Sequence, residues 1–94
     1  MNIEKILKER QGTIIDVRTP EEFAGGKVAG SINIPLQEIP ERVEELKDMN
    51  LPLILCCASG SRSGQTHRYL AQYGLECYNG GSWMDLNYYQ SLTN

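Results

Sequence analysis

The sequence predicts an α/β fold: a central parallel sheet of about four strands, flanked by helices on both faces. Two observations predict it. Short β-branched or apolar runs alternate with stretches of helical period along the chain. One of those runs, Leu53-Ile54-Leu55-Cys56, is apolar throughout, the pattern of a parallel strand covered on both faces. Parallel strands joined by helices require right-handed crossovers.

Each element follows in order. Ile3, Ile6 and Leu7 among charges predict a short opening helix that ends near Gly12. Thr13-Ile14-Ile15-Asp16-Val17 reads as a buried strand. Thr19-Pro20-Glu21-Glu22 has the form of a helix start, with Thr19 as N-cap, Pro20 first and acids in the first turn; Gly25-Gly26 stops that helix. Ser31-Ile32-Asn33-Ile34 is a short strand closed by Pro35. Ile39, Val43, Leu46 and Met49 recur at helical spacing and predict a helix over 37–49. After the Leu53–Cys56 strand, Thr66, Leu70 and Tyr73 mark a helix that Gly74 caps. Leu75–Tyr78 is the last strand, Gly80-Gly81 a tight turn, and Trp83, Leu86 and Tyr89 a final helix.

The 94 residues suit one domain, 1–94. A net charge of -3, from 9 basic and 12 acidic residues, leaves no basic footprint for nucleic acid or a membrane surface. No apolar run approaches the roughly 20 residues that span a bilayer, and the charged start does not continue into a secretion signal. Three cysteines, two of them adjacent, do not form a disulfide framework; reduced thiols and a cytoplasmic location are expected. With one histidine, His67, and no Cys-x-x-Cys pair, no metal is expected, nor any cofactor.

In open α/β sheets ligands bind beyond the carboxyl ends of the strands. Two segments fall there: Asp16-Val17-Arg18, and the loop Cys57-Ala58-Ser59-Gly60-Ser61-Arg62-Ser63. A cysteine thiol has an ordinary pKa of about 8.5, and a cation or helix N-terminus lowers it. Arg62 and Ser63 open the following helix, whose N-terminus acts as roughly half a positive charge. Ser59, Gly60 and Ser61 are small enough for the backbone to curl and aim its N–H groups inward, forming an anion nest. Cys57 is therefore the candidate nucleophile, while Cys56 and Cys77 read as buried packing.

These segments resemble the rhodanese family. The residues are Ile15-Asp16-Val17-Arg18, Glu22-Phe23, Gly26-Lys27-Val28-Ala29-Gly30-Ser31-Ile32-Asn33-Ile34-Pro35, the Cys57–Ser63 loop and Tyr78-Asn79-Gly80-Gly81. The resemblance covers about residues 13–84. It implies a single rhodanese-like domain and a sulfurtransferase. Cys57 would take a sulfane sulfur from a small anionic donor such as thiosulfate, hold it as a persulfide within a cradle of Ala58, Ser59, Gly60, Ser61, Arg62 and Ser63, and pass it to a thiol, cyanide or protein acceptor. Asp16 and Arg18 would support the loop, with Glu22 as an ion-pair partner of Arg18. A monomer is expected. Lys27 and Ser31 depart from the family's common His and Ala.

Other readings stand beside this one. Counted from Cys56, the spacing is Cys-x5-Arg-Ser, which resembles cysteine-dependent phosphatases and some arsenate reductases, with Arg62 clamping an oxyanion. A sulfur-binding module without turnover is a third class. His67 reads as an exposed helix residue, and Glu38, Glu41, Glu44, Glu45 and Asp48 as a solvated face. Trp83 is expected on the core, with Tyr88 and Tyr89 half-exposed.

Overall fold

The computed structural model describes residues 3–92. Four strands, β1 (Thr13–Asp16), β2 (Ile32–Asn33), β3 (Leu53–Cys57) and β4 (Cys77–Ser82), pair in parallel in the order β2-β1-β3-β4. Five α-helices join them: α1 (Ile3–Lys8), α2 (Pro20–Ala24), α3 (Val43–Lys47), α4 (Ser61–Ala71) and α5 (Trp83–Leu92); a 3-10 helix, Leu36–Arg42, precedes α3. No helix among the described residues is long and apolar enough to cross a membrane.

The period of two along β3 divides the core. One cluster holds Leu53, Leu55 and Cys57 with Ile15, Val17, Ile39, Val43, Leu46 and Leu70, so the 3-10 helix, α3 and α4 cover this face. The other holds Ile54 and Cys56 with Ile6, Leu7, Val28 and Leu86, which places α1 and α5 on the opposite face. Every residue of β3 is buried, as its unbroken apolar run requires.

Most elements lie where the sequence places them. The start of α2 is a full capping box: Thr19 Oγ1 accepts from the Glu22 N–H at 3.2 Å, and Glu22 Oε1 accepts from the Thr19 N–H at 3.0 Å. Three boundaries differ. The single helix expected over 37–49 is divided, because Pro40 has no N–H to give and its ring crowds the preceding turn. Ile39, Val43 and Leu46 still reach the core, which is why the period looked continuous. The second is the end of α4 at Ala71, with Gln72 as its cap rather than Gly74.

The third difference matters for function. The last strand does not stop at Tyr78 with a turn at Gly80-Gly81; β4 runs through both glycines to Ser82. Asn79 lies opposite Leu55 and Ser82 opposite Cys57, so β4 spends one extra residue there, a bulge. Gly80 is needed because a Cβ would stand 3.0 Å from Ile54 Cγ2, Leu55 O and Leu86 Cδ1. The bulge carries Asn79 against the start of α4.

Candidate active site

The carboxyl ends of β1, β3 and β4 meet at one edge of the sheet, and Cys57 ends the middle strand. After it the chain turns sharply into α4. The turn is made by Gly60, at a φ of 101°, in the left-handed region that side chains disfavour. This conformation brings two main-chain donors back to the sulfur: the Gly60 N–H at 3.0 Å and the Ser63 N–H at 3.4 Å. The Ser63 hydroxyl oxygen lies 3.4 Å from the same atom.

Burial pushes the Cys57 thiol up, but the hydrogen bonds outweigh it. The Ser63 side chain and the N–H groups of Ser63, Ser59 and Gly60 hold the thiol below its ordinary value. Cys56, one residue earlier, points to the other face of the sheet. Burial there, reinforced by the Asp16 carboxylate, pushes its thiol up to about 12. Cys77 is also raised by burial. It sits opposite Leu53, four residues or roughly 13 Å down the strand from Cys57, out of reach for a disulfide without large movement.

Arg62 does not stand free beside the thiol. Its Nη1 and Nη2 meet Glu22 Oε1 and Oε2 at 2.8 and 3.1 Å, a two-point ion pair between α4 and α2. Arg62, then the Thr19 N–H, holds the Glu22 carboxyl down to about 2. The expected pairing of Glu22 with Arg18 is thus corrected. Only the Glu22 backbone carbonyl accepts from Arg18, through Nη1 at 3.2 Å, because Asp16 already occupies that guanidinium.

Asp16 and Arg18 form a buried pair, 0% and 3% exposed. Arg18 Nε lies 2.9 Å from both Asp16 oxygens and Nη2 2.7 Å from Oδ2; the Arg18 N–H also donates to Oδ1 at 3.0 Å. Nη2 reaches the Gly26 carbonyl at 2.6 Å, and the guanidinium lies 4.6 Å from the centre of the Trp83 ring. The pair therefore clamps the end of β1 to the α2 segment and to α5.

Of the residues predicted for the cradle, the structure gathers Gly60 and Ser63 around the Cys57 sulfur. Ala58, Ser59 and Ser61 have exposed side chains at the rim, and Arg62 is turned to Glu22. His67 is half-buried on α4 rather than exposed. Tyr88 is exposed while Trp83 and Tyr89 are half-buried, and the acidic run is partly paired, with Arg42 bridging Glu38 and Glu45. The residue that sequence reasoning passed over is Asn79. Its Oδ1 accepts from Ser63 Oγ at 2.7 Å and from the Gly81 N–H at 3.0 Å, and its Nδ2 donates to the Gly60 carbonyl at 3.1 Å. An asparagine before two glycines signals a turn; nothing in the pattern points it at a cysteine loop 22 residues earlier.

Comparison with known proteins gives the family. The family model for the rhodanese-like domain matches residues 2–85. The thiosulfate sulfurtransferase PspE of Escherichia coli is 41% identical over 61 residues, 64% of this chain and 59% of its own length. The uncharacterized protein YqhL of Bacillus subtilis is 39% identical over 71 residues, 74% of this chain and 56% of its own. The chain thus spans little more than half the length of these two relatives. Among solved structures, an Escherichia coli rhodanese determined with anions superposes with a TM-score of 0.70 at 37% identity, covering 78% of this chain and 88% of that one. A rhodanese-related protein of Thermoplasma volcanium gives 0.70 at 34% identity, covering 81% and 75%. A family model that matches nearly the whole chain, and a backbone that superposes on those two structures with a TM-score of 0.70, lead to one conclusion: the chain belongs to the rhodanese-like domain family.

Proposed function

We propose that this chain is a sulfurtransferase that carries a sulfane sulfur on Cys57. The observation that supports it best is the Cys57 sulfur itself, which ends a buried strand, accepts two main-chain N–H groups and has its thiol held below the ordinary value. Relatives named as thiosulfate sulfurtransferases support the reaction class, and thiosulfate is the natural first donor to try.

The reaction balances without a redox partner. The Cys57 thiolate attacks the outer sulfur of thiosulfate. A Cys57–sulfur bond forms, the sulfur–sulfur bond of the donor breaks, and sulfite leaves with the bonding pair. The terminal sulfur of the persulfide carries the negative charge, which the main-chain donors of the loop are suited to stabilise. A nucleophilic acceptor, cyanide or a thiolate, then attacks that terminal sulfur and the Cys57 thiolate is released. No general base is needed once the thiol is ionised.

Phosphatase chemistry would need Cys56 as nucleophile. Its position on the other face of the sheet, with a thiol pushed up to about 12, weighs against that reading. The test is direct. Incubated with thiosulfate, the protein should gain the mass of one sulfur atom on the peptide holding Cys57, and should turn over cyanide to thiocyanate. Cys57→Ser should abolish both, and Cys56→Ser should keep most of the transfer. Transfer that survives Cys57→Ser would overturn the proposal.

A further inference from the structure

The side chain of Asn79 has its orientation settled by its neighbours. The Gly81 N–H can only donate and the Gly60 carbonyl can only accept, so the amide oxygen is the atom that faces Gly81 and Ser63. An amide oxygen has no proton. The short 2.7 Å contact with Ser63 is therefore a bond in which the serine hydroxyl donates. A hydroxyl has one proton to give. With that proton committed to Asn79, Ser63 presents lone pairs to the Cys57 sulfur 3.4 Å away.

This arrangement fits a protonated thiol, whose S–H can donate to the serine oxygen. It does not fit a thiolate, which can only accept. When Cys57 ionises and its proton leaves to solvent, the Ser63 hydroxyl has to rotate from Asn79 to the sulfur. The anion makes the better acceptor, so the rotation is favourable, but the bond to Asn79 is lost in the exchange. Asn79 keeps its Gly81 and Gly60 contacts throughout, so it stays in place to take the hydroxyl back. Once the sulfur of Cys57 is bonded to a second sulfur, the charge moves to the outer atom and the hydroxyl is free to return.

We propose that Asn79 is a positioning residue for Cys57, acting through Ser63: it competes with the sulfur for one hydroxyl proton and so restrains formation of the reactive thiolate. The proposal rests on the sulfurtransferase reading only in taking Cys57 as the nucleophile. A residue that merely braced the loop would have the opposite effect. Losing the Asn79–Gly60 bond would loosen the Gly60 N–H and make the thiolate harder to form.

The experiment reads thiol acidity rather than turnover. The pH midpoint for alkylation of Cys57 by iodoacetamide is measured by mass spectrometry in the full chain, for Asn79→Ala, Ser63→Ala and the double variant. Asn79→Ala should lower the midpoint by about half to one pH unit, the worth of one neutral hydrogen bond. Ser63→Ala should raise it, and the double variant should match Ser63→Ala alone. Asn79→Leu, which keeps the volume and removes the acceptor, should also lower the midpoint; it serves as the second variant if Asn79→Ala does not fold. An unchanged or raised midpoint in folded Asn79→Ala overturns the proposal, as does a double variant in which the two shifts simply add. Failure of the wild type to load sulfur from thiosulfate would count against the sulfurtransferase reading, while the alkylation midpoints would still decide the role of Asn79.

Discussion

A strand sends successive side chains to opposite faces, so Cys56 and Cys57, joined by one peptide bond, lie in different cores. One thiol is held below its ordinary value by hydrogen bonds and the other is driven up to about 12 by burial. Glu22 is another residue whose acidity is set by its place in the fold. A carboxyl depressed to about 2 contributes stability in full above the ordinary carboxylate range and loses it as pH falls toward 2. Acid unfolding followed by fluorescence should therefore be steeper between pH 4.5 and 2 in the wild type than in Glu22→Gln. Identical acid limbs would show that the Arg62 pair is not holding the carboxylate. Cys57 was legible in the sequence from the small-residue loop and helix start that follow it, and in the structure it is Cys57, not Cys56, that the Gly60 and Ser63 N–H groups reach. The partner of Glu22 was not legible, because it stands 40 residues away and pattern reasoning sees only near neighbours.

Among the elements, short-range chemistry was the readable part. Thr19-Pro20-Glu21-Glu22 spells a helix start and makes one, since every contact in a capping box lies within four residues. The divided helix was less readable, because Ile39, Val43 and Leu46 keep a helical period across the change from 3-10 to α-helix at Val43. The extension of β4 was hidden for a different reason: local turn preference favours Gly80-Gly81 as a loop, and pairing with β3 overrides it. The start of α4 gives a test at this scale. Gly60→Ala would force a side chain into a φ of 101° and against Gly81, where a Cβ would meet Cα at 3.3 Å. Urea unfolding should show a loss of about 1–2 kcal/mol. Sulfur loading from thiosulfate should slow by about tenfold or more, the kinetic equivalent of one such hydrogen bond to a charged sulfur. A variant that is destabilised yet loads sulfur at the wild-type rate would show that the Gly60 N–H is not needed.

For the molecule as a whole, the Asp16–Arg18 pair is the point where the parts are tied together. It joins β1, the α2 segment and the Trp83 ring of α5 within one buried cluster of charge and hydrogen bonds. Removing one member leaves the other buried without compensation, a loss of about 3–5 kcal/mol. A domain of this size has about 5–15 kcal/mol in total. Asp16→Ala should therefore lower the urea midpoint severely or leave the chain unfolded at 37 °C, as circular dichroism would show. A change of under about 1 kcal/mol would mean that solvent reaches the pair.

Two of the donors around Cys57, the Gly60 and Ser63 N–H groups, belong to the main chain, and that has an evolutionary side. A peptide hydrogen is the same whatever side chain hangs beside it. The exposed side chains of Ala58, Ser59 and Ser61 form no part of that hold on the sulfur. Under the proposed function, those three letters are open to rewriting for a new donor while the main-chain donors beneath them stay as they are.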